Sequence, residues 1–332
     1  MSYFRPLVQS GEIRPDTAVT LAGMPHLWFT HVEIMQRNAG SEIVTVEAVP
    51  GDVLARLSAP REPIAGLDMG QAQIMGILNV TPDSFSDGGR HNDLTDATAA
   101  ALQMAQDGAS IIDIGGESTR PGADFIEIPD EIERTAPVIG AIRAKSTVQI
   151  SIDTRKAAVG QAALNVGANL INDVAGFTFD PELGSVAARA GVPVCVMHAQ
   201  GDPKTMQNDP QYDHVVLDVY DFLQERIAYL ESLGVARTQI VTDPGIGFGK
   251  TLEHNLSILR NISLFHALGC PILLGASRKR FIGTIGKAPL ADDRAPGSIA
   301  VGLAALAQGV QILRVHDVGE TAQAVRLWQA AR

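Results

Sequence analysis

From Ile74 onward, short runs of β-branched residues alternate with longer stretches in which apolar residues recur every three or four positions, and this alternation restricts the fold more than any other feature. The runs predicted to be strands are Ile74–Val80, Ser110–Ile114, Thr147–Ile152, Leu170–Asn172, Pro193–Met197, Gln239–Thr242, Ile272–Leu274 and Val310–Val315. Helices are predicted over Leu94–Gln106, Asp130–Ala144, Lys156–Val166, Tyr212–Ser232, Leu252–Leu268, Ala295–Gln308 and Glu320–Ala331. Strands alternating with helices in this way predict an α/β fold, a (β/α)8 TIM barrel.

Two other architectures compete with the barrel. A doubly wound open sheet would place a glycine-rich dinucleotide fingerprint after the first strand, and no such motif follows Ile74–Val80. Two medium-sized domains would also fit a chain of 332 residues. The barrel is favoured because it also predicts polar residues directly after the strand ends, which is where this sequence has them.

Residues 1–70 do not follow the alternation. Leu27–Ile34 and Ile43–Glu47 have the composition of strands, and Asp52–Leu57 has that of a short helix. We therefore predict a β-rich N-terminal extension over residues 1–70, packed on the barrel or at a subunit contact, and a barrel domain over residues 71–332.

The composition of the chain limits which binding partners and which cellular compartment are to be expected. A formal net charge of −11 argues against general binding to nucleic acid or to an anionic membrane, although a local arginine cluster can still bind a small anion. Neither a signal peptide nor a run of about 18 apolar residues is found, so no membrane span is expected. Cys195 and Cys270 lie in apolar surroundings and are predicted to be buried thiols rather than a disulfide or a metal site. We expect a cytoplasmic protein.

Polar residues follow every predicted strand, and in a barrel the carboxyl ends of all strands meet on one face. In strand order, the segments are Asn79–Gly89, Asp113–Ala123, Asp153–Arg155, Asn172–Asp173, Met197–His198, Asp243–Lys250, Ser277–Arg280 and Arg314–Asp317. The second segment is rich in glycine and carries Arg120 ahead of Pro121, which indicates a loop that closes over an anionic group.

The last two segments are strongly cationic. Barrels of this kind often bind phosphate with the loops after strands seven and eight and with a helix N-terminus. Here those loops carry Arg278, Lys279, Arg280, Arg314 and His316. Their placement predicts a substrate with a phosphate-like group.

Hydrogen-bond acceptors, not cations, end three other strands: Asp153, Asn172 and Asp243. A carboxylate or amide buried at the top of a barrel is costly unless a partner satisfies it. These residues could bind a metal, act as acid and base, or hold a flat heterocycle that presents several N–H donors. Too few histidines and cysteines share the strand ends to suggest zinc. The planar, donor-rich ligand is the preferred interpretation.

In this order, the eight segments resemble the dihydropteroate synthase family over nearly all of residues 74–317. Members of that family join 6-hydroxymethyl-7,8-dihydropterin diphosphate to p-aminobenzoate, which gives 7,8-dihydropteroate and diphosphate in folate biosynthesis. The resemblance implies a transferase on a pterin-binding TIM barrel, a Mg²⁺ cofactor and a homodimer formed through barrel helices. Two features depart from the family pattern: Arg280 stands where many relatives have serine, and the N-terminal extension is longer than the usual hairpin.

The resemblance also implies a role for each matching residue. The pterin would be bound by Asp153, Asn172, Met197, Asp243 and Lys279. The diphosphate would be bound by Asn79, Arg120, Arg314 and His316, with Asn79 as the protein ligand of Mg²⁺. The p-aminobenzoate pocket would consist of Phe85, Thr119, Arg120, Pro121, Phe248 and Ser277. Asp153, Arg120 and Lys279 would be catalytic. Because an arylamine is a weak nucleophile and no residue is an obvious base for it, we expect a dissociative substitution.

Three other functions compete with this one. A corrinoid methyltransferase that uses methyltetrahydrofolate would keep the pterin-facing Asp and Asn residues, but it has no use for the cationic loops. An aldolase could use Lys279 as a Schiff-base nucleophile, with Arg278 and Arg280 lowering its pKa. A non-catalytic module that only binds a pterin or a sulfonamide would bind ligand without turnover.

Overall fold

The structure of the chain is a computed structural model that describes residues 2–11, 13–80, 90–118, 125–201 and 205–331. It consists of an eight-stranded parallel barrel surrounded by helices and preceded by two small antiparallel sheets. The predicted (β/α)8 barrel is therefore confirmed. None of the helices in the described part of the chain combines the length and the apolar character that a membrane crossing needs.

The N-terminal part of the chain is rich in β-structure, as predicted. Its strands are β1 (Tyr3–Pro6), β2 (Gln9–Ser10), β3 (Val19–Leu21), β4 (Met24–Phe29), β5 (His31–Gln36) and β6 (Ala39–Thr45), followed by helix α1 (Gly51–Ser58). One sheet has the order β1-β5-β6 and the other β2-β4-β3. The predicted continuous strand Leu27–Ile34 is wrong in one respect, because the chain passes from one sheet to the other at Thr30.

The barrel strands are β7 (Gln73–Asn79), β8 (Ile111–Gly115), β9 (Gln149–Asp153), β10 (Leu170–Asp173), β11 (Val194–Met197), β12 (Ile240–Asp243), β13 (Leu273–Leu274) and β14 (Ile312–Val315). They pair in the order β12-β11-β10-β9-β8-β7-β14-β13. A parallel bridge between Thr242 and Ile272 joins the two ends of this sheet, and the Thr242 N–H donates to the Pro271 carbonyl at 2.9 Å. The barrel is thereby closed, so all strands end on one face.

The helices around the barrel are α2 (Arg90–Asp107), α3 (Ile128–Arg143), α4 (Ala157–Asn165), α5 (Glu182–Ala190), α6 (Val215–Ser232), α7 (Leu252–Arg260), α8 (Arg280–Ile285), α9 (Ala295–Leu306) and α10 (Val318–Ala330). The predicted helix Leu252–Leu268 is divided, because α7 ends at Arg260 and a 3₁₀ segment follows over Ile262–Leu268. At the break, the Asn261 side chain donates to the Ser257 carbonyl at 2.8 Å and so satisfies an oxygen of the last helical turn. Helix α5 was not predicted from the sequence, and no bounds were predicted for α8.

The alternation of side chains along each strand determines what the barrel interior contains. Ile111, Leu170, Val241 and Ile312 are fully or almost fully buried and form a lower apolar layer, which Ile64 and Met69 cover from below. Two positions further along the same strands, the inward-facing residues are polar: Asp113, Asn172, Asp243 and Arg314. The barrel therefore has an apolar floor and a polar rim at the carboxyl ends of its strands.

The N-terminal sheets pack on the side of the barrel. The Tyr3 hydroxyl donates to Asp221 of α6 at 2.8 Å, and its ring lies edge-on to Tyr220 with a centroid distance of 5.4 Å. Arg37 pairs with Asp218 at 2.5 Å and with Asp221 at 2.7 Å. These contacts fix the sheet β1-β5-β6 of the extension to α6.

Candidate active site

Side chains from five barrel strands converge at the polar rim. Asn172 of β10 lies beside Asp153 of β9 in the sheet register, and Asp243 of β12 lies beside Met197 of β11. Arg314 of β14 reaches across the barrel and pairs with Asp153, with 2.8 Å between Nη2 and Oδ2. The structure therefore brings together the predicted pterin residues Asp153, Asn172, Asp243 and Met197, with Arg314 beside them.

A further carboxylate, Asp113, lies at the centre of this group. It was named above as the first residue of the segment Asp113–Ala123 but was given no role in the site. It is fully buried in the middle of β8, and its Oδ2 accepts from Arg314 Nε at 2.6 Å and from Asn172 Nδ2 at 3.2 Å. One oxygen atom thus holds two residues of the site. The signal that could have revealed Asp113 is its inward position in an otherwise apolar strand, where a charge is costly without a partner.

Two carboxylate oxygens at the rim have no partner. Oδ1 of Asp113 and Oδ1 of Asp153 are both buried and accept no hydrogen bond from the described residues. An unsatisfied buried acceptor costs roughly 1–3 kcal/mol, more when it carries charge. The arrangement is therefore suited to a ligand that supplies N–H donors.

Burial and neighbouring charges shift the ionisation of the rim. Burial raises the pKa of Asp153 well above its ordinary value, although the charge of Arg314 opposes this and that of Asp113 adds to it. Burial raises the pKa of Asp243 to about 6, against the opposing effect of the Gly245 N–H and the charge of Lys279. Burial also works against the charge of Arg314, but Asp113 and Asp153 outweigh it and raise the guanidinium pKa. The site is thus a set of strongly coupled buried charges.

The loop between β12 and α7 shapes one side of the rim. The Gly245 N–H donates to Asp243 Oδ1 at 2.7 Å, so the loop orients that carboxylate. The ammonium of Lys279 lies over the Phe248 ring, 4.0 Å from its centroid, in a cation–π contact. A Cβ at Gly275 would lie 3.6 Å from Asp243 Oδ2 and 4.0 Å from Arg314 Cδ, so the anionic and cationic groups are close neighbours.

The cationic residues after β13 and β14 do not act as a single cluster. Arg278 has a φ of 56°, and its side chain pairs with Asp317 and Asp292, both at 2.5 Å. Arg280 is exposed at the start of α8. Arg278 therefore joins two loops of the structure, and Lys279 and Arg314 are the cations that lie at the rim.

Ser277 and His316 connect the same two loops on the side of the site. The Ser277 hydroxyl lies 3.0 Å from His316 Nδ1 and accepts from the His316 backbone N–H at 3.2 Å. Ser277 is buried, and His316 is half-buried. The predicted contact residue for p-aminobenzoate and the predicted contact residue for diphosphate are thus adjacent.

Several predicted site residues lie outside the described residues, namely Phe85, Thr119, Arg120 and Pro121. The ends of the loop that carries three of them are described. Glu117 Oε1 accepts from the Ile126 N–H at 3.1 Å, while Glu117 Oε2 pairs with Arg155 at 2.9 Å. The Lys156 ammonium donates to the Ile126 carbonyl at 2.5 Å and pairs with Glu131 at 2.6 Å.

Asn79 is the residue predicted to bind a metal. It ends β7 half-buried and pairs in the sheet with Gly115, which in turn pairs with Asp153. Its amide oxygen is a donor that suits Mg²⁺, which commonly takes one or two protein oxygens and completes its shell with phosphate and water. The described residues contain no group of three or more His, Cys, Asp or Glu side chains that could form an all-protein cage. The donor set therefore fits an ion shared with a phosphate ligand.

Comparison with known proteins agrees with the geometry of the rim. The family model described as pterin binding enzyme matches residues 75–316. The dihydropteroate synthase of Escherichia coli strain K12 is 47% identical over 265 residues, which cover 80% of this chain and 93% of that protein.

Solved structures give the same result. The Yersinia pestis dihydropteroate synthase in complex with a sulfonamide drug superposes with a TM-score of 0.77 at 44% identity, over 82% of this chain and 99% of that one. The Xanthomonas albilineans dihydropteroate synthase with 4-aminobenzoic acid also gives a TM-score of 0.77, at 42% identity, over 82% of this chain and 98% of that one.

Proposed function

Since this chain belongs to the pterin-binding enzyme family and, within it, to the dihydropteroate synthases, we propose that it condenses 6-hydroxymethyl-7,8-dihydropterin diphosphate with p-aminobenzoate. The products are 7,8-dihydropteroate and diphosphate. The observation that carries this proposal is the rim of buried acceptors, with unpartnered oxygens on Asp113 and Asp153 beside the cation of Arg314. A flat ring with several N–H donors and an anionic tail satisfies both halves of this rim.

The acidic half of the rim is assigned to the pterin ring. Asp243 would accept from the 2-amino group and N3 of the pterin, and Asn172 and Asp153 would bind the remaining ring nitrogens. Lys279 would donate to the O4 and N5 side, while Met197 would pack against the ring. Recognition of two N–H groups by one carboxylate is directional and strong in a site with little water.

The cationic half of the rim is assigned to the diphosphate. Arg314, His316, Arg120 and Asn79 would bind its oxygens. Arg314 is already held by Asp113 and Asp153, so its orientation does not have to be fixed when the substrate binds. Mg²⁺ bound through Asn79 would offset the negative charge of the diphosphate.

The second substrate is assigned to the neighbouring loops. Phe248 and Ser277 lie on the described side of the predicted pocket, and Phe85, Thr119, Arg120 and Pro121 would complete it. The Xanthomonas relative with 4-aminobenzoic acid supports this substrate. Ser277 would lie near the carboxylate of p-aminobenzoate, because its hydroxyl belongs to the loop that leads into α8.

The chemistry proposed for this site is dissociative. The bond between the exocyclic methylene carbon and its oxygen breaks, and the electron pair leaves with the diphosphate. The dihydropterin cation is then stabilised by Asp153, and the arylamine nitrogen forms the new C–N bond and loses a proton. At an effective dielectric constant near 20, one carboxylate about 4 Å from a cation contributes on the order of 4 kcal/mol before desolvation. That energy corresponds to roughly a thousandfold in rate.

The competing functions are weaker. The relatives that match most of the chain are dihydropteroate synthases, which disfavours a corrinoid methyltransferase. The aldolase hypothesis required Arg278 and Arg280 to depress the pKa of Lys279. Arg278 instead pairs with Asp317 and Asp292, and Arg280 is exposed.

The experiment that tests the proposed function is an assay of diphosphate release. We expect release only when pterin diphosphate, p-aminobenzoate and Mg²⁺ are all present, with formation of dihydropteroate in equal amount. Release at a comparable rate without p-aminobenzoate would indicate a hydrolase. Ligand binding without any release would indicate a binding module.

We also propose that the enzyme is a homodimer. Helix α9 contains no charged residue, and its exposed positions include Ala300 and Ala304. The neighbouring α10 exposes 67% of Leu327. An apolar outer face on a surface helix favours a subunit contact. Sedimentation of the purified protein should give the mass of two chains, and a monomer would contradict this proposal.

The cytoplasmic location of the protein stays a prediction.

A further inference from the structure

Lys250 is a buried cation whose partners are all neutral. Its ammonium lies 2.8 Å from His198 Nδ1, 2.8 Å from the Gly245 carbonyl, 3.0 Å from the Phe248 carbonyl and 3.3 Å from the His198 carbonyl. The residue is only 3% exposed. A lysine at such a position costs free energy unless its donors are satisfied, and here they are satisfied by one turn of loop and the end of β11.

The acceptors of Lys250 belong to the loop that shapes the rim. Gly245 provides the N–H that orients Asp243, and Phe248 provides the ring beneath the Lys279 ammonium. The loop has left-handed backbone angles at Gly245, Gly247 and Gly249, with φ of 70°, 82° and 62°. Because glycine adopts many conformations when unconstrained, this loop needs an external contact to fix one of them.

His198 completes the arrangement from the neighbouring strand. A Cβ at Gly245 would overlap the His198 carbonyl oxygen, so the loop lies directly on the end of β11. Burial lowers the pKa of His198 well below its ordinary value, and the charge of Lys250 adds to this effect. The imidazole therefore stays neutral and can accept a hydrogen bond from the ammonium through Nδ1. Burial likewise lowers the pKa of Lys250 to about 7, with Asp243 opposing and Lys279 adding.

We infer that Lys250, held by His198, is a positioning residue for pterin recognition. Its ammonium ties the carbonyls of Gly245 and Phe248 to the end of β11 and so orients Asp243 and supports Lys279. This inference rests on the proposed function, because it takes Asp243 and Lys279 to be pterin ligands. Lys250 itself does not contact the substrate in this account.

The test compares two buried cations by substitution. Lys250→Met removes the ammonium and keeps an apolar side chain about as long as the four-carbon stem of lysine. Arg61→Met is the matched control, because Arg61 is also buried and also donates to backbone carbonyls, those of Ala59 and His266. Arg61 lies beside the 3₁₀ segment before β13, at the other end of the barrel from the rim. The affinity for 6-hydroxymethylpterin is measured by calorimetry, and the midpoint of thermal unfolding is measured for both variants.

We expect Lys250→Met to bind the pterin at least tenfold more weakly than the unmodified protein, and Arg61→Met to bind it within twofold even where its unfolding midpoint falls. Pterin affinity within twofold in Lys250→Met, or an equal loss in Arg61→Met, would overturn the inference. If Lys250→Met does not fold, His198→Leu is used instead: a loss of pterin affinity of more than twofold supports the inference, and an affinity within twofold of the unmodified protein overturns it. Failure of the unmodified protein to bind any pterin would instead refute the proposed function.

Discussion

Asp113 and Arg314 show how single residues determine the character of the rim. The Asp113 carboxylate contacts a cation on β14 and an amide on β10, so it fixes Arg314, which is assigned to the diphosphate, and Asn172, which is assigned to the pterin. Arg314 is shared between Asp113 and Asp153. Removing one member of a buried charged group leaves the others without compensation, which usually costs more than the interaction itself contributes.

The first prediction concerns Asp113→Asn. The amide has nearly the same shape but carries no charge, so Arg314 loses one of its two carboxylate partners. We expect kcat/KM for pterin diphosphate to fall about 100-fold, which corresponds to about 2.7 kcal/mol of transition-state stabilisation. Steady-state kinetics on the variant and on the unmodified enzyme would measure this change in kcat/KM. Asp52→Asn, which breaks an exposed pair with Arg56, should leave kcat/KM within twofold and serves as the control. A value for Asp113→Asn within threefold of the unmodified enzyme would contradict the role.

The second prediction concerns pH. Asp243 must be ionised to accept two N–H groups, and burial raises its pKa from the model-peptide value of 3.8 to about 6. The raised pKa of Asp153 acts in the same direction. The affinity for 6-hydroxymethylpterin should therefore weaken by up to about tenfold per pH unit below pH 6, and the pKa of Asp153, which burial raises to about 8, should make the affinity continue to rise between pH 7 and pH 8. Calorimetry between pH 5 and pH 8 would test this prediction. An affinity that stays unchanged down to pH 5 would show that the pKa of the Asp243 carboxyl is not raised.

Sequence reasoning found most of the described rim residues because they end strands. Asp153, Asn172 and Asp243 stand at the points where apolar runs stop, and parallel strands bring such points together. Asp113 was named as the start of a polar segment but was given no role, because it lies inside the strand Ser110–Ile114 and not in the loop after it. Arg278 was grouped with the cations because of its neighbours in sequence, but its left-handed backbone turns its side chain toward Asp317. Backbone conformation at one residue is not readable from charge alone.

At the scale of elements, the loops at the rim depend on buried groups at their ends. Lys156 connects Glu131 of α3 with the Ile126 carbonyl, and it also lies 3.3 Å from Glu117. Glu131 is fully buried and accepts from the Thr154 hydroxyl at 2.7 Å. These contacts fix the two ends of the segment that carries Thr119 and Arg120.

The third prediction is a double-mutant cycle on this pair. Lys156→Met leaves the Glu131 carboxylate buried without its cation and should destabilise the fold by about 3–5 kcal/mol. Adding Glu131→Gln to that variant should recover part of the loss, since the uncompensated charge is gone. Denaturant unfolding of the two single variants and the double variant gives the coupling energy. Losses that simply add would show that the two groups do not interact.

Element boundaries were predicted less well than element types. The strand run Leu27–Ile34 has continuous β-composition, yet it forms β4 and β5 in different sheets. The division of Leu252–Leu268 depends on Asn261, whose side chain replaces a helical hydrogen bond. The first boundary is set by a change of packing partner and the second by a local hydrogen bond. The spacing of apolar residues in the sequence indicates neither of these.

At the scale of the whole molecule, the barrel separates stability from chemistry. The apolar layer of Ile111, Leu170, Val241 and Ile312 closes the floor, and the charged groups lie one layer above it. The N-terminal sheet β1-β5-β6 attaches to α6 through Tyr3 and Arg37. The family match begins at residue 75, so the division of the chain near residue 70 stays a prediction.

The central claim is that one rim holds the pterin with its acidic half and the diphosphate with its cationic half. The decisive experiment is calorimetry of 6-hydroxymethylpterin and of its diphosphate, binding to the unmodified protein, to Asp243→Asn and to His316→Ala. We expect that Asp243→Asn weakens the binding of both ligands by the same factor, about tenfold or more, and that His316→Ala weakens the binding of the diphosphate alone. Equal losses for both ligands in His316→Ala, or unchanged pterin affinity in Asp243→Asn, would contradict it.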